Sequence, residues 1–132
     1  MHVRRIRSAE DVEQLRLLRN ECRKYMTGTT KKIGKAAQKA WWAEAPRRAY
    51  LLVDGDGKAH GFVYIKWEDH RNWITLGLTD DLRGQGYGTM LYRTFVSAWA
   101  RIRLDNEASI KAAKRAGYIA VETDGETVVM KG

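Results

Sequence analysis

The sequence predicts a mixed α/β (α+β) domain, built on one twisted sheet of about seven strands flanked by about four helices. Strand-like and helix-like segments follow one another in the order β-α-α-β-β-β-α-β-α-β-β. The 132 residues suit one domain, spanning residues 1–132. Apolar residues make up 44% of the chain, which is enough for a packed core.

The first half of the chain shows a change from helical spacing to strand alternation. Ser8 is the expected N-cap of a helix whose apolar side includes Cys22, which we interpret as a core residue. The expected elements are a strand at 2–6, a helix from Ser8 to about Cys22, a break at 27–30, a helix with apolar residues from Ile33 to Trp41, a hairpin of 49–53 with 61–67 around a turn at 54–57, and a strand at 73–78.

The second half predicts two helices and three further strands. A long apolar segment favours a helix from the glycine-rich loop to about Ala100, with Trp99 packed in the core. The expected elements are a helix from 87 to about 100, a strand at 101–104, a helix at 106–116, and strands at 118–122 and 127–131.

Composition excludes several classes of protein. Cys22 is the single cysteine, so the chain cannot form an internal disulfide or a multi-cysteine zinc site. The charged start of the chain does not resemble a secretory signal, and no apolar run approaches the roughly 20 residues of a membrane span. The three histidines lack the spacing of metal ligands, and 54–58 fits a hairpin turn better than a calcium loop. We therefore expect a cytoplasmic protein without a metal.

The net charge of +8 predicts an affinity for anions, such as nucleic acid, acidic membranes or a polyphosphate cofactor. The positive charge is concentrated between Arg19 and Lys39, where Glu21 is the one acidic residue. The cations of this basic region are Arg19, Arg23, Lys24, Lys31, Lys32, Lys35 and Lys39. Such a region is either solvated surface or part of an acceptor site, and it is compatible with nucleic acid binding.

The loop at residues 81–89 joins a strand to a helix and contains three closely spaced glycines. Glycines allow the backbone to approach a ligand, and the helix N-terminus offers unpaired N–H groups to an anion. Gly88 is followed by Thr89-Met90 instead of the Lys-Ser/Thr pair of a nucleotide-hydrolysing loop. The loop also lies too late in the chain for the dinucleotide pattern. The loop therefore predicts an anion site that suits the pyrophosphate of a ligand other than a hydrolysed nucleotide or a dinucleotide.

Two motifs in the second half, Arg83-Gly84-Gln85-Gly86-Tyr87-Gly88 and Asn106-Glu107-Ala108-Ser109, resemble those of the GNAT superfamily of N-acetyltransferases. Arg83-Gly84-Gln85-Gly86-Tyr87-Gly88 is similar to the family's Arg/Gln-x-x-Gly-x-Gly/Ala signature. Asn106-Glu107-Ala108-Ser109, followed by Ala116-Gly117-Tyr118, is similar to its second element, one helix and one strand later. A weaker likeness, in Leu18-Arg19-Asn20, Gln38 and Trp41-Trp42, is to the front helices of branches that acetylate amino sugars or protein N-termini.

The resemblance implies an enzyme that uses acetyl-coenzyme A (acetyl-CoA) as its cosubstrate. It implies that the loop binds the pyrophosphate, that a central strand pairs with the pantetheine arm, and that a helix beyond them completes the site. The implied cofactor-binding residues are Leu76, Leu78, Arg83, Gly84, Gln85, Gly86, Tyr87, Gly88, Thr89, Asn106, Ser109 and Arg115, with Lys111 as a further candidate for the 3′-phosphate.

The catalytic groups depart from the family pattern. The family's Tyr, seven residues after Asn106, is replaced by Ala113, and its Glu, ten residues before Arg83, is replaced by Trp73. Amine acetylation needs a proton acceptor, for which Glu68 is the first choice and His70 the second. Thr75 is a candidate for holding a proton-carrying water. The acid is left to Tyr92 or to water.

Three functions remain open from the sequence. The first is acetylation of a small primary amine, such as an amino sugar or an amino acid derivative. The second is acetylation of a macromolecule, either a nucleic acid base or a protein amine, held by the basic region. The third is a non-catalytic module that binds acyl-CoA or nucleic acid. Trp41, Trp42 and Trp67 are candidates for the acceptor site. A homodimer is also left open.

Overall fold

In the computed structural model, which describes residues 1–27, 31–44 and 48–132, the chain forms one seven-stranded sheet with four α-helices. The strands are β1 (His2–Arg5), β2 (Arg48–Val53), β3 (Ala59–Glu68), β4 (Arg71–Leu78), β5 (Trp99–Arg103), β6 (Ile119–Thr123) and β7 (Thr127–Lys131). The helices are α1 (Ala9–Glu21), α2 (Lys35–Glu44), α3 (Tyr87–Thr94) and α4 (Glu107–Arg115), with short 3-10 turns at Arg23–Tyr25 and Asp80–Leu82. This confirms the predicted fold class and element order.

The sheet has the strand order β1-β2-β3-β4-β5-β7-β6. Neighbouring strands are antiparallel except β4 and β5, which run parallel and are connected through α3. A parallel pair needs such a crossover because the chain must return to the same end of the sheet. The crossover places the glycine-rich loop at the end of β4, in the middle of the sheet.

Both faces of the sheet are covered, because β2 alternates its side chains between two core clusters. Leu51 packs with Leu15 and Leu18 of α1, whereas the adjacent Leu52 belongs to the cluster that contains Leu91 of α3 and Ala113 of α4. Helices α1 and α2 therefore lie on one face of the sheet, and α3 and α4 on the other. In the described residues, no helix is long and apolar enough to cross a membrane.

Polar side chains hold the N-terminal helices in place. Ser8 caps α1 as predicted, since its hydroxyl accepts the N–H of Asp11 at 3.1 Å. Asn20 is buried and binds both backbone groups of Ile33, at 2.5 Å and 2.9 Å. This pair of bonds ties α1 to the segment that leads into α2.

Two predicted boundaries are wrong. The helix expected to reach Ala100 ends at Thr94, and Trp99 begins β5 instead of packing as a helical residue. The spacing of Phe95, Ala98 and Trp99 imitates a helix, but pairing of β5 with β7 supplies a longer ladder of hydrogen bonds. The second helix begins at Lys35, so Ile33 lies before it. Residues 28–30 of the predicted break lie outside the described residues.

The β3–β4 hairpin closes through a two-residue turn. Asp69 and His70 have φ angles of 52° and 60°, and Glu68 pairs with Arg71 on either side of them. Two consecutive positive φ values are typical of the type I′ turn, which fits the right-handed twist of paired strands. At this turn the β3–β4 hairpin extends past the end of β2, since, among the described residues, β3 pairs with β2 only as far as Ile65.

Candidate active site

The parallel strands β4 and β5 meet at one end and diverge at the other. In the described structure, Trp73 of β4 pairs with Trp99 of β5, and no further residues of these two strands are paired with each other. Beyond this pair, β4 continues to Leu78 while remaining bonded to β3 along its other edge. The edge of β4 that faces β5 is therefore open to a ligand from Ile74 onwards.

Strand alternation identifies the backbone groups on the open edge of β4. The N–H of Thr79 donates to the carbonyl of His60 at 2.9 Å, so Thr79 turns its backbone towards β3. Alternate residues of an antiparallel strand turn their N–H and C=O groups to opposite edges. Leu76 and Leu78 consequently present theirs to the open edge. The Leu78 carbonyl accepts the thiol of the buried Cys22, with 3.4 Å between sulfur and oxygen.

The glycine-rich loop ends at the N-terminus of α3, as the sequence predicts. Gly84 and Gly86 have φ angles of 80° and 89°, which only glycine adopts without strain. Gly86 is the N-cap, and the first N–H groups of α3, from Tyr87 to Thr89, have no partner within the helix. A Cβ atom built on either glycine would meet nothing within 4 Å, so the backbone faces open space. This arrangement suits an anion.

A network of polar side chains holds the start of this loop. His60 Nε2 lies 2.7 Å from Asp54 Oδ2, and His60 Nδ1 lies 3.5 Å from Asp81 Oδ2. Asp81 also accepts the Thr79 hydroxyl. The bond from His60 lowers the pKa of Asp54, and the bond from Thr79 lowers the pKa of Asp81. The loop is thus joined to the β2–β3 turn on one side and to the end of β4 on the other.

The open edge of β4, the loop and α4 enclose the first cleft, which has a volume of about 370 Å³. Ten of the twelve predicted cofactor-binding residues line it: Leu76, Leu78, Arg83, Gly84, Gly86, Gly88, Thr89, Asn106, Ser109 and Arg115. Gln85 and Tyr87 do not. The side chain of Gln85 turns back to donate to the Asp81 carbonyl at 2.5 Å, and Tyr87 packs against the core.

The first cleft carries positive charge where the loop meets α4. Arg83, Lys111 and Arg115 line it, with Glu107 as the acidic member of the described lining. Arg83 lies 3.9 Å above the ring of Tyr25 and donates to Asn106 Oδ1 at 3.2 Å. Three cations beside a helix N-terminus fit a ligand with several phosphates.

Asn106 acts first as a helix cap. Its Oδ1 atom accepts the backbone N–H of Ser109 at 3.3 Å, in addition to the Arg83 guanidinium. The oxygen is therefore occupied by protein donors. The N–H donors of the Nδ2 amide are what Asn106 can offer to a ligand in the cleft.

Tyr92 reaches the first cleft from α3, whereas α4 carries Ala113 at the position where the family pattern has a tyrosine. Its hydroxyl is 2.7 Å from Ser109 Oγ, and the ring packs edge-on against Tyr118. Burial raises the pKa of Tyr92 to about 12, so the phenol keeps its proton at neutral pH. Ala113, four residues after Ser109, is fully buried in the core.

A second cleft, of about 460 Å³, follows the first along β4. The first is lined by Leu76, Gly77 and Leu78, and the second by Trp73, Ile74 and Thr75. The remaining residues of the second cleft are Arg19, Arg23, Met26, Thr27, Ile33, Trp41, Tyr64, Lys66, Glu68 and Arg101. Their mixture of aromatic and charged side chains suits a small polar ligand.

Two of the three predicted catalytic residues line the second cleft. Glu68 and Thr75 are both there, and Glu68 Oε2 lies 3.2 Å from the ammonium of Lys66. His70 lies at the hairpin tip, outside the lining, with its ring 6.4 Å from that of Trp67.

The three tryptophans that were predicted as candidates for the acceptor site lie in different surroundings. Trp41 lines the second cleft, whereas Trp42 packs against the core and Trp67 is 64% exposed.

Some residues of the two clefts were not singled out in the sequence. Tyr25, Tyr64 and Arg101 come from three separate elements, and none belongs to a motif. Alternation along β3 would have placed Tyr64 on the same face as Phe62, although not beside a cleft. Within the described ranges, no three His, Cys, Asp or Glu side chains come together as a metal site.

Comparison with known proteins supports the resemblance drawn from the motifs. The sequence model of the acetyltransferase (GNAT) family matches residues 13–118, most of the chain and all of the first cleft. No curated protein matches the sequence significantly.

Solved structures share the fold over almost the whole chain. A domain from Methanocaldococcus jannaschii is 18% identical, with a TM-score of 0.80, over 98% of this chain and 95% of that one. A putative phosphinothricin N-acetyltransferase is 17% identical, with a TM-score of 0.81 and the same coverage. Spermidine N-acetyltransferase from Vibrio cholerae, in complex with CoA and spermine, is 13% identical, with a TM-score of 0.70, over 98% and 92%.

Proposed function

Because the chain belongs to the acetyltransferase (GNAT) family, whose members are acetyl-CoA-dependent N-acetyltransferases, we propose that it transfers an acetyl group from acetyl-CoA to the primary amine of a small molecule. The observation that carries this proposal is the first cleft, where the open edge of β4 and the N-terminus of α3 face the same space. The open strand edge suits an extended arm that contains amides, and the helix N-terminus suits a pyrophosphate.

In this proposal the backbone does most of the cofactor binding. The loop from Gly84 to Gly88 and the first N–H groups of α3 bind the pyrophosphate, while Arg83 and Arg115 supply charge. The N–H and C=O of Leu76 and the N–H of Leu78 bind the pantetheine arm, with Asn106 Nδ2 as a further donor. An N–H on this edge of β4 also polarises the thioester carbonyl, so that side-chain identity there matters little.

The acceptor amine is proposed to enter through the second cleft. The two clefts follow one another along β4, so that an acetyl group near Thr75 would lie within reach of both. The phosphinothricin and spermidine N-acetyltransferases that share the fold act, by their names, on small amines. A small-molecule amine is therefore the acceptor class that we propose.

Two protons move during the reaction. As the amine attacks the carbonyl carbon and the C–S bond breaks, the nitrogen loses a proton and the departing sulfur gains one. Glu68 is the proposed acceptor of the first proton, directly or through water held at Thr75, because both line the second cleft. Tyr92 is the proposed donor of the second, because its buried hydroxyl lines the first cleft.

Thiol release from acetyl-CoA, measured across a panel of small amines, tests this function. We expect thiol release to depend on both the amine and the protein, and mass spectrometry to show one added acetyl group on the amine. Binding of CoA without thiol release, with every amine tested, would instead indicate a non-catalytic module.

A macromolecular acceptor is the second candidate, and one observation favours it. Ile33 lines the second cleft, and four exposed lysines lie within six residues of it in the sequence: Lys31, Lys32, Lys35 and Lys39. Exposed lysines at this position could bind phosphates of a nucleic acid. The salt dependence of activity separates the two candidates, because contacts to phosphates weaken as salt rises.

A further inference from the structure

The second cleft combines aromatic walls with an excess of positive charge. Its described lining contains four cationic side chains and one carboxylate: Arg19, Arg23, Lys66, Arg101 and Glu68. Lys66 and Glu68 pair with each other at 3.2 Å, which leaves three arginines. A cleft whose walls carry one sign of charge concentrates ligands of the opposite sign.

Arg19 is held by three contacts to other side chains. Its guanidinium carbon lies 4.1 Å from the ring centroid of Trp41 and 5.8 Å from that of Tyr64. Its Nη1 atom donates to Oε1 of the buried Gln38 at 2.7 Å. Stacking and this bond fix the plane of the guanidinium before any ligand arrives.

Arg19 is also half-buried without an acidic partner. Among the residues that the structure describes, no carboxylate pairs with it. Burial lowers the pKa of Arg19, because partial removal from water disfavours its charged form. A half-buried cation without a counter-charge loses part of its hydration, and an anionic ligand would offset that loss.

The position of Arg19 relative to the reaction is defined by β4. Arg19 and Thr75 line the same cleft, and Thr75 precedes Leu76, whose backbone lies in the first cleft. A ligand with its amine near the acetyl group could therefore place a second group on Arg19. The guanidinium has five N–H donors, of which Gln38 occupies one.

We propose that the acceptor carries an anionic group, a carboxylate or a phosphonate, next to its primary amine, and that Arg19 binds this group. The inference rests on the proposed function and narrows its substrate class to amino acids and their phosphonate analogues. Polyamines are disfavoured, because several positive charges would enter a cleft that is already positive. The arginines also lower the pKa of a nearby ammonium, which assists loss of the amine proton.

Matched pairs of acceptors test the inference through thiol release. Glycine, phenylalanine and glutamate are compared with their α-carboxamides, and spermidine serves as the polycation. We expect kcat/KM to be at least about tenfold higher for the acids than for the amides, as a charge-assisted hydrogen bond provides. The amine of an α-carboxamide is the weaker base and is more readily deprotonated. A preference for the acid therefore cannot arise from amine protonation.

Substitutions then test whether Arg19 causes the preference for acids over amides. Arg19→Gln is expected to lower kcat/KM for the acids by about tenfold or more and to leave the amides within about threefold. Arg5→Gln, which removes an exposed charge from β1 and lies outside both clefts, is the matched control and should preserve the preference. Arg101→Gln, on β5, gives a second test should Arg19→Gln fail to fold.

The possible outcomes are distinct. Equal rates for acids and amides, or a preference for spermidine, would overturn the inference and leave the acetyltransferase function intact. A preference for acids that persists in folded Arg19→Gln and Arg101→Gln would overturn the role of this cleft. Absence of thiol release with every acceptor would overturn the proposed function and, with it, the inference.

Discussion

Trp73 of β4 and Trp99 of β5 form the parallel pair from which the two strands diverge, with their ring centroids 6.2 Å apart. The guanidinium carbon of Arg71 lies 3.9 Å above the ring of Trp99, and that of Arg101 lies 5.3 Å from the ring of Trp73. The pair thus forms the closed end of the opening in the sheet. Both clefts depend on this geometry, since they follow β4 away from Trp73.

Replacing Trp99 by Ala should destabilise the fold. Complete burial of a large aromatic residue contributes about 3–5 kcal/mol, and Trp99 is half-buried, so we expect a loss of about 2 kcal/mol in the free energy of unfolding. Denaturant unfolding measures this. The control is Trp67→Ala, because Trp67 is 64% exposed and should contribute about 0.5 kcal/mol or less. Equal losses in the two variants would contradict the role of the Trp73–Trp99 pair.

Tyr92→Phe should lower kcat while changing KM little, because the proposed role of Tyr92 is to donate a proton to the departing thiolate. A positioned acid contributes about 10² to 10⁴-fold, and water could replace part of this. Tyr118→Phe is the matched control. Tyr118 is also buried, and its hydroxyl donates to the Phe95 carbonyl at 2.6 Å, but it does not line either cleft. Steady-state kinetics that show the same kcat for Tyr92→Phe and the wild type would exclude Tyr92 as the acid.

Glu68→Gln should lower kcat near neutral pH and flatten the increase of rate with pH. The amide keeps the size of the side chain but cannot accept the amine proton, and general bases contribute about 10² to 10⁴-fold. Glu122→Gln, at an exposed position on β6, removes the same charge far from both clefts. A pH profile of kcat that is unchanged in Glu68→Gln would shift the role to His70 or to water at Thr75.

The salt dependence of activity separates a small acceptor from a nucleic acid. Each phosphate contact on duplex DNA adds about 0.9 to the slope of log affinity against log salt, so three contacts would give about −3. For a small acceptor we expect a weak dependence of KM, because exposed lysines are screened at ordinary ionic strength. The triple variant Lys31→Gln, Lys32→Gln, Lys35→Gln should then stay active. A steep slope in the wild type that the triple variant loses would support the macromolecular acceptor instead.

The fold was predictable because its signals are local. Ser8 and Asn106 cap α1 and α4, and the loop from Gly84 to Gly86 separates β4 from α3. The first cleft followed from the same loop, since a glycine-rich turn before a helix implies an anion site wherever it occurs. Trp99 was misassigned because its neighbours have helical spacing, and only the distant strand β7 decides in favour of β5.

The second cleft could not be predicted because its residues are brought together by tertiary packing. Arg19 lies in a cluster of charges along the sequence that is typical of solvated surface. Arg19 lies in α1, and it stacks on Trp41 of α2 and Tyr64 of β3. This stacking requires that α1 and α2 pack on the same face of the sheet. Pairing of Lys66 with Glu68, which leaves the arginines in excess, also appears only in three dimensions.

The proposed function depends first on binding of CoA to the glycine-rich loop, which calorimetric titration of CoA into the Gly86→Asp variant measures. An aspartate at Gly86 places a carboxylate where the loop faces the pyrophosphate, at a φ of 89° that already disfavours a side chain. Gly86→Ala measures the strain without the charge. Gly55→Asp, in the β2–β3 turn with open space around it, is the control for an added carboxylate.

We predict that the wild type and Gly55→Asp bind CoA with similar Kd, and that folded Gly86→Asp binds it at least about tenfold more weakly because two negative groups face each other. Unchanged CoA affinity in a folded Gly86→Asp variant would contradict the assignment of the first cleft to the cosubstrate.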